Sequence, residues 1–114
     1  MTALPAQRLS DDVSVAPQLD AAAMALAAAA GFKSVINNRP DFEGGPDQPT
    51  AAAVGAAAKA AGMEYVHQPV QGAYQSPEDI ARFKQLVDSL PKPVLAYCRS
   101  GARCTKLFVG AQQL

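Results

Sequence analysis

The sequence is poor in the residues from which metal and disulfide chemistry is built. Its 114 residues hold two cysteines and one histidine. Two cysteines do not make a disulfide framework, and Cys98 and Cys104 stand too close in the chain to staple distant elements. They and His67 lack the spacing of a ligand set, so no metal site is expected. Neither sign of charge predominates. Ten Lys and Arg balance ten Asp and Glu, which removes the electrostatic case for nucleic acid or an acidic membrane as a partner. Long hydrophobic runs are also missing. The alanine-rich stretches are broken by Gly31, Lys59 and Gly62, and none is long enough to span a bilayer. Residues 1–12 carry no basic segment leading into an apolar one, so no signal peptide is expected. The expected compartment is the cytoplasm, where two cysteines stay reduced and one of them can be reactive.

What is present suits one packed domain over residues 1–114, with 49% hydrophobic residues. Val13, Ser14 and Val15 alternate as a short strand, ended by Pro17. Asp20 is placed to cap a helix over 21–30 that stops at Gly31. Val35 and Ile36 mark a second strand. A polar loop over 38–49 follows, punctuated by prolines and glycines, of the length that is often functional or mobile. Thr50 caps a helix over 51–61, closed by Gly62, and 64–68 forms a third strand. A further loop, 69–75, leads to Ser76, Pro77, Glu78 and Asp79. These supply a capping hydroxyl, a proline at the first helical position and acids in the first turn. Ile80, Phe83, Val87 and Leu90 then recur at helical spacing as far as Pro91. An apolar strand over 93–97 and a last helix from Cys104 to about Gln113 complete the chain. Alternation of strand and helix predicts an α/β fold. Its mostly parallel central sheet has about four strands flanked by helices, with an anion-binding loop between the last strand and the last helix.

Ligands of such sheets bind beyond the carboxyl ends of the strands, and Cys98 lies at that end of the fourth strand. A free thiol has a pKa of about 8.5, which a helix N-terminus or a nearby arginine lowers. The segment 98–103 offers both. The last helix directs its unpaired amides at the loop, and Gly101 lets the backbone turn them inward. Arg103 can hold two oxygens of an anion in its planar fork. Cys98 is thus the expected nucleophile, and Arg99, Ser100, Gly101 and Ala102 the expected anion-binding positions. His67, alone and in a strand, reads as a core or surface residue rather than an acid. Cys104 reads as a first-turn helix residue ahead of a resolving thiol.

Three stretches carry a family resemblance: Gly31-Phe32-Lys33-Ser34-Val35-Ile36-Asn37-Asn38-Arg39-Pro40-Asp41, then His67-Gln68-Pro69-Val70, then Pro93-Val94-Leu95-Ala96-Tyr97-Cys98-Arg99-Ser100-Gly101-Ala102-Arg103. Across nearly the whole chain it resembles the phosphatase-like family of the beta-lactamase hydrolase-like protein, which is similar in fold to tyrosine and dual-specificity phosphatases. The resemblance implies a parallel sheet, a phosphate-binding loop, Cys98 as nucleophile and Arg103 as clamp. It also marks departures. Four residues separate Cys98 from Arg103, as in rhodanese-type loops, rather than five. Tyr97 stands where phosphatases often have histidine, and Cys104 where the family has serine. Gln71 and Gly72 occupy the positions of the general-acid aspartate, which leaves Asp41, in its Pro- and Gly-rich loop, as the expected substitute.

The expected function is a cysteine-dependent phosphatase-like hydrolase that forms a thiophosphate on Cys98, acting on a phosphorylated small molecule or protein without a cofactor. The alternatives are a rhodanese-like sulfurtransferase carrying a persulfide on Cys98, and a non-catalytic anion-binding module.

Overall fold

The computed structural model describes residues 4–114. Residues 1–3, on which part of the signal-peptide expectation fell, lie outside the described residues. The elements run β1 (Gln7–Arg8), β2 (Val13–Ala16), α1 (Ala21–Ala29), β3 (Ser34–Asn37), α2 (Ala51–Ala60), β4 (Glu64–His67), α3 (Pro77–Ser89), β5 (Val94–Tyr97) and α4 (Ala102–Ala111). They form a five-stranded sheet in the order β1-β2-β5-β3-β4, parallel except for β1.

The expected four strands are all present, and β1 is an addition. It is two exposed residues long and pairs antiparallel with β2, with Gln7 opposite Val15. Nothing apolar marks it, because an edge strand over an exposed rim needs no hydrophobic alternation. The caps form as their chemistry requires. Asp20 accepts from the Ala23 amide at 3.0 Å and Thr50 from Ala53 at 3.2 Å. Ser76 and Asp79 close a reciprocal capping box at the start of α3, two bonds of 3.0 Å each. The last helix begins at Ala102, two residues before Cys104, so that residues 101 and 102 already belong to its N-terminus.

The strand order fixes which face each helix covers. From β2 through β3 to β4 the chain moves one way across the sheet. From β4 to β5 it moves back. Right-handed crossovers then put helices on opposite faces. Accordingly α1 packs with α2, and α3 with α4. Side-chain alternation sorts the core in the same way. Val35, Leu95 and Tyr97 join Met24, Val54 and Ala58 in one cluster. Ile36, Ala96 and Cys98 join Phe83, Cys104 and Leu107 in the other. The alanine bias has a packing reason. At Gly55 a Cβ would come within 2.9 Å of the Tyr65 ring, so α2 lies close on the sheet and two tyrosines fill the space that small helical side chains leave. Tyr65 and Tyr97 join hydroxyls at 3.2 Å, and Asn37 donates to Tyr65 at 3.0 Å.

The reversal at β5 places a switch point at its carboxyl end, where Cys98 follows Tyr97.

Candidate active site

Cys98 is buried at the end of β5, its amide bonded to the Ala16 carbonyl at 3.3 Å. The chain then turns sharply. Gly101 has φ +93°, in the left-handed region where a side chain is strained, and it is the N-cap of α4. That turn aims the Gly101 amide at Cys98 Sγ, 3.1 Å away. Ser100 Oγ accepts from the Ala102 amide at 3.3 Å, and the Thr105 hydroxyl donates to the Gly101 carbonyl at 2.9 Å. Arg99 is exposed, and its carbonyl takes the Gln18 amide at 3.2 Å, which ties the loop to the segment after β2.

These contacts set the charge on sulfur. The Cys98 pKa is lowered from 9.0 to about 5, first by a hydrogen bond from the Cys104 thiol, against the opposing effect of burial, and then by the amides of Cys104, Gly101 and Ser100. Cys104 is fully buried, and burial and its bond to Cys98 push its own pKa up. It therefore keeps its proton and donates. Asn38 Oδ1 also lies 3.2 Å from Cys104 Sγ. An ionised Cys98 sulfur would compete with that oxygen for the Cys104 proton, since a charged acceptor makes the stronger bond. Cys104 is a first-turn helix residue as expected, and its thiol is also the largest influence that lowers the Cys98 pKa. Tyr97, by contrast, points to the opposite sheet face, and burial raises its pKa.

Arg103 is buried and held from three sides. Nη1 donates to the Val70 carbonyl at 2.9 Å and to the Asn38 carbonyl at 3.3 Å, and Nη2 donates to Glu43 Oε1 at 3.0 Å. Nε is buried and has no hydrogen-bond partner among the described residues. An arginine edge so fixed has one donor in reserve, and burying it unpaired costs about 1–3 kcal/mol. Gly72 lies against that same edge. A Cβ there would come within 2.8 Å of Nη2 and 3.4 Å of Nε.

Glu43 was not legible as a site residue. It sits in the 38–49 loop, and its Oε1 accepts from both Arg103 Nη2 and Arg39 Nε, the latter at 2.9 Å. Burial pushes the Glu43 pKa up, but the hydrogen bonds and charges of the two arginines outweigh it and hold the carboxyl below its ordinary 4.5. Arg39 is buried as well and reaches Gln18 Oε1 at 3.2 Å. A partly exposed carboxylate thus sets two guanidinium groups beside the loop.

Asp41 is bonded to the start of α2. Its Oδ1 accepts from the Ala51 amide at 2.8 Å, at the first turn of α2. Two side-chain bonds of Gln48 staple its loop. Gln48 accepts from the Gly44 amide at 2.7 Å and donates to the Pro40 carbonyl at 2.9 Å. No hydrogen bond joins Asp41 to the 98–103 loop among the described residues. His67 is half-buried, with Nε2 2.9 Å from the Arg39 carbonyl.

A thiol of lowered pKa at a strand end, an amide turned toward it, and a buried arginine at the loop's close suit a phosphatase-like α/β domain. Comparison with known proteins agrees. Residues 6–114 match the model of the beta-lactamase hydrolase-like protein, phosphatase-like domain, and the chain belongs to that family. A beta-lactamase hydrolase-like protein of Agrobacterium fabrum is 38% identical over 111 residues, 97% of this chain and 26% of that protein. The chain therefore spans about a quarter of the length of that relative. Among solved structures, a candidate phosphatase of Neisseria meningitidis is 37% identical, with a TM-score of 0.83 over 89% of this chain and 71% of the other. Pseudomonas aeruginosa TpbA, solved with phosphotyrosine, has a TM-score of 0.62 at 16% identity, over 86% of this chain and 55% of its own, a likeness of fold.

Proposed function

We propose that the chain is a cysteine-dependent phosphatase-like hydrolase acting on a phosphorylated small molecule or protein. The Cys98 thiolate attacks phosphorus, the P–O bond breaks, and the oxygen leaves with its electron pair. Cys98 then carries a thiophosphate. Water attacks the same phosphorus, the P–S bond breaks, the thiolate returns, and a proton passes to solvent with the release of phosphate. Amides of residues 99–103 and the Arg103 guanidinium stabilise the oxygens as charge builds on them.

The observation that carries this reading is a buried Arg103 whose Nε has no partner, in the same loop-to-helix segment as Cys98, whose pKa is lowered to about 5. A dianion supplies that donor with its missing acceptor. The binding of phosphotyrosine by a protein of similar fold is in keeping with a phosphorylated substrate.

Leaving-group protonation is the weak step. Asp41 Oδ1 is already bonded to the Ala51 amide, so no carboxylate is assigned to that step. Substrates that leave as stable anions should therefore turn over and alkyl phosphates lag far behind. The four-residue loop favours a second reading as well. In a sulfur transfer, Cys98 would attack the outer sulfur of thiosulfate, the S–S bond would break, sulfite would leave as an anion, and a persulfide would remain. No acid is needed for that.

The test is a parallel assay of p-nitrophenyl phosphate, an alkyl phosphate and thiosulfate with the wild type and Cys98→Ser. Release of p-nitrophenolate that Cys98→Ser abolishes supports the hydrolase. Persulfide loading with aryl phosphate untouched replaces it by the transferase. If anions protect Cys98 from alkylation and neither reaction proceeds, the chain is an anion-binding module.

A further inference from the structure

Arg39 is a second buried arginine at the carboxyl end of the sheet, and the reaction described above gives it no task. Ala16, Tyr97 and Asn37 lie level across β2, β5 and β3, with β5 in the middle. Gln18, Arg99 and Arg39 each stand two residues beyond that level. Arg39 Nη1 donates to Gln18 Oε1 at 3.2 Å, so its side chain spans the end of the strand that leads to Cys98. The contacts then close a ring. The Gln18 amide donates to the Arg99 carbonyl at 3.2 Å, Arg39 Nε to Glu43 Oε1 at 2.9 Å, and Arg103 Nη2 to that same oxygen at 3.0 Å. The ring starts and ends on the segment that holds Cys98.

Two guanidinium groups therefore converge on one carboxylate oxygen. Each has other bonds that fix it. Arg39 keeps Gln18, and Arg103 keeps the Val70 and Asn38 carbonyls through Nη1. The Arg39 and Arg103 side chains are 9% and 8% exposed, and that of Glu43 is 29% exposed. The carboxylate is thus the partner with a way out to water. When it leaves, two fixed and nearly buried cations face one point, and another anion relieves their repulsion. Two unused donors flank that point. Arg103 Nε is buried without a partner, and Arg39 Nη2 makes no hydrogen bond among the described residues and is not fully buried. Gly44, next after Glu43, leaves room for that nitrogen, since a Cβ there would come within 2.7 Å of it.

We infer that Arg39 and Arg103 form a second anion seat beside the 98–103 loop, filled by Glu43 in the free protein, and that the preferred ligand carries two anionic groups close together. This rests on the reading of that loop as an anion site, although not on whether the bound anion is hydrolysed. One group takes the loop amides and Arg103 Nε. The other displaces Glu43 and accepts from Arg103 Nη2 and Arg39 Nε. Nε and Nη2 belong to one guanidinium, so the two groups must be joined through very few atoms, as in a diphosphate. A ligand with a single anionic group leaves Glu43 in place and gains nothing from Arg39.

Non-hydrolysable phosphonates test this through protection of Cys98 from iodoacetamide. Methylenediphosphonate should protect at about tenfold lower concentration than methylphosphonate, the gain of one charged hydrogen-bonding group. In Arg39→Gln that ratio should fall toward one. In Glu43→Gln no carboxylate has to be displaced, and the ratio should rise about threefold further. Lys106→Gln removes an equal charge from an exposed position on α4 and should leave the ratio unchanged. The opposite signs at Arg39 and Glu43 keep the test decisive, since Glu43→Gln decides it alone if Arg39→Gln does not fold. Equal protection by the two phosphonates, a ratio that persists in folded Arg39→Gln, a ratio that does not rise in Glu43→Gln, or an equal fall in Lys106→Gln overturns the inference while leaving the anion loop standing. Failure of inorganic phosphate and both phosphonates to protect overturns the loop reading and the inference with it.

Discussion

Replacing Cys104 by alanine should make Cys98 a weaker acid while leaving it in place. The Cys104 thiol is the largest cause of the low Cys98 pKa, ahead of the loop amides. A hydrogen bond to a charged group is worth about 1.5–3 kcal/mol, and one pKa unit is about 1.4 kcal/mol. Loss of the thiol should thus raise the pKa by about one to two units, because the amides remain. Taking a variant value near 6.5, the thiolate fraction at pH 5.5 falls from about three-quarters to about one-tenth. The rate of iodoacetamide labelling of Cys98 at pH 5.5 should fall about eightfold, and at pH 8 both proteins should label at similar rates. Cys104→Ser restores a donor and should return the midpoint part of the way. A midpoint unmoved in Cys104→Ala, or moved as far in Cys104→Ser, would refute the assignment of Cys104 as the thiolate's partner. The sign for stability follows from the same shift. A lowered folded pKa contributes stability that is full above the unfolded value near 9 and is lost as pH falls through about 5.

Arg103→Lys keeps the charge but loses the planar fork, and should weaken vanadate binding at least tenfold, whereas Arg99→Lys, at an exposed position, should change it little. Comparable losses would mean that the two arginines are misassigned. Glu43 has a lowered pKa, so its contribution to stability is present above about 4.5 and fades as pH falls through the lower folded value; Glu43→Gln should flatten that part of the acid unfolding curve, as read by circular dichroism. Asp41→Asn should cost about 1 kcal/mol through the first turn of α2 and slow aryl and alkyl phosphates equally. A larger loss on alkyl phosphates would return Asp41 to the role of acid.

Local chemistry made most of the fold legible. Asp20, Thr50 and Ser76 each announce a helix start, and each does cap one. The apolar runs around Val35 and Leu95 announce strands because central parallel strands are covered on both faces. The strand β1 escaped because Gln7 and Arg8 are polar and exposed. The loop at Cys98 was legible because a strand, a glycine and a helix in succession force amides toward one point. Glu43 was not legible. Its significance comes from a contact sixty residues away in sequence, and nothing about a glutamate in a Pro- and Gly-rich loop signals that. Cys104 was legible as a first-turn helix residue and, second to that, as a resolving thiol, but not as a group that lowers the Cys98 pKa, since that depends on α4 starting at Ala102. Asp41 was read from loop composition, which suggests mobility. The Gln48 bonds that staple this loop, and the bond of Asp41 to Ala51, cannot be read from composition.

The central claim is that Cys98 attacks phosphorus. Intact-mass measurement after rapid acid quench of the protein with excess p-nitrophenyl phosphate reads it directly. A transient gain of one phosphoryl group is expected, located on Cys98 by peptide mapping and absent in Cys98→Ser. Turnover without that adduct, the adduct on another residue, or a gain of one sulfur from thiosulfate with none from the aryl phosphate would contradict it.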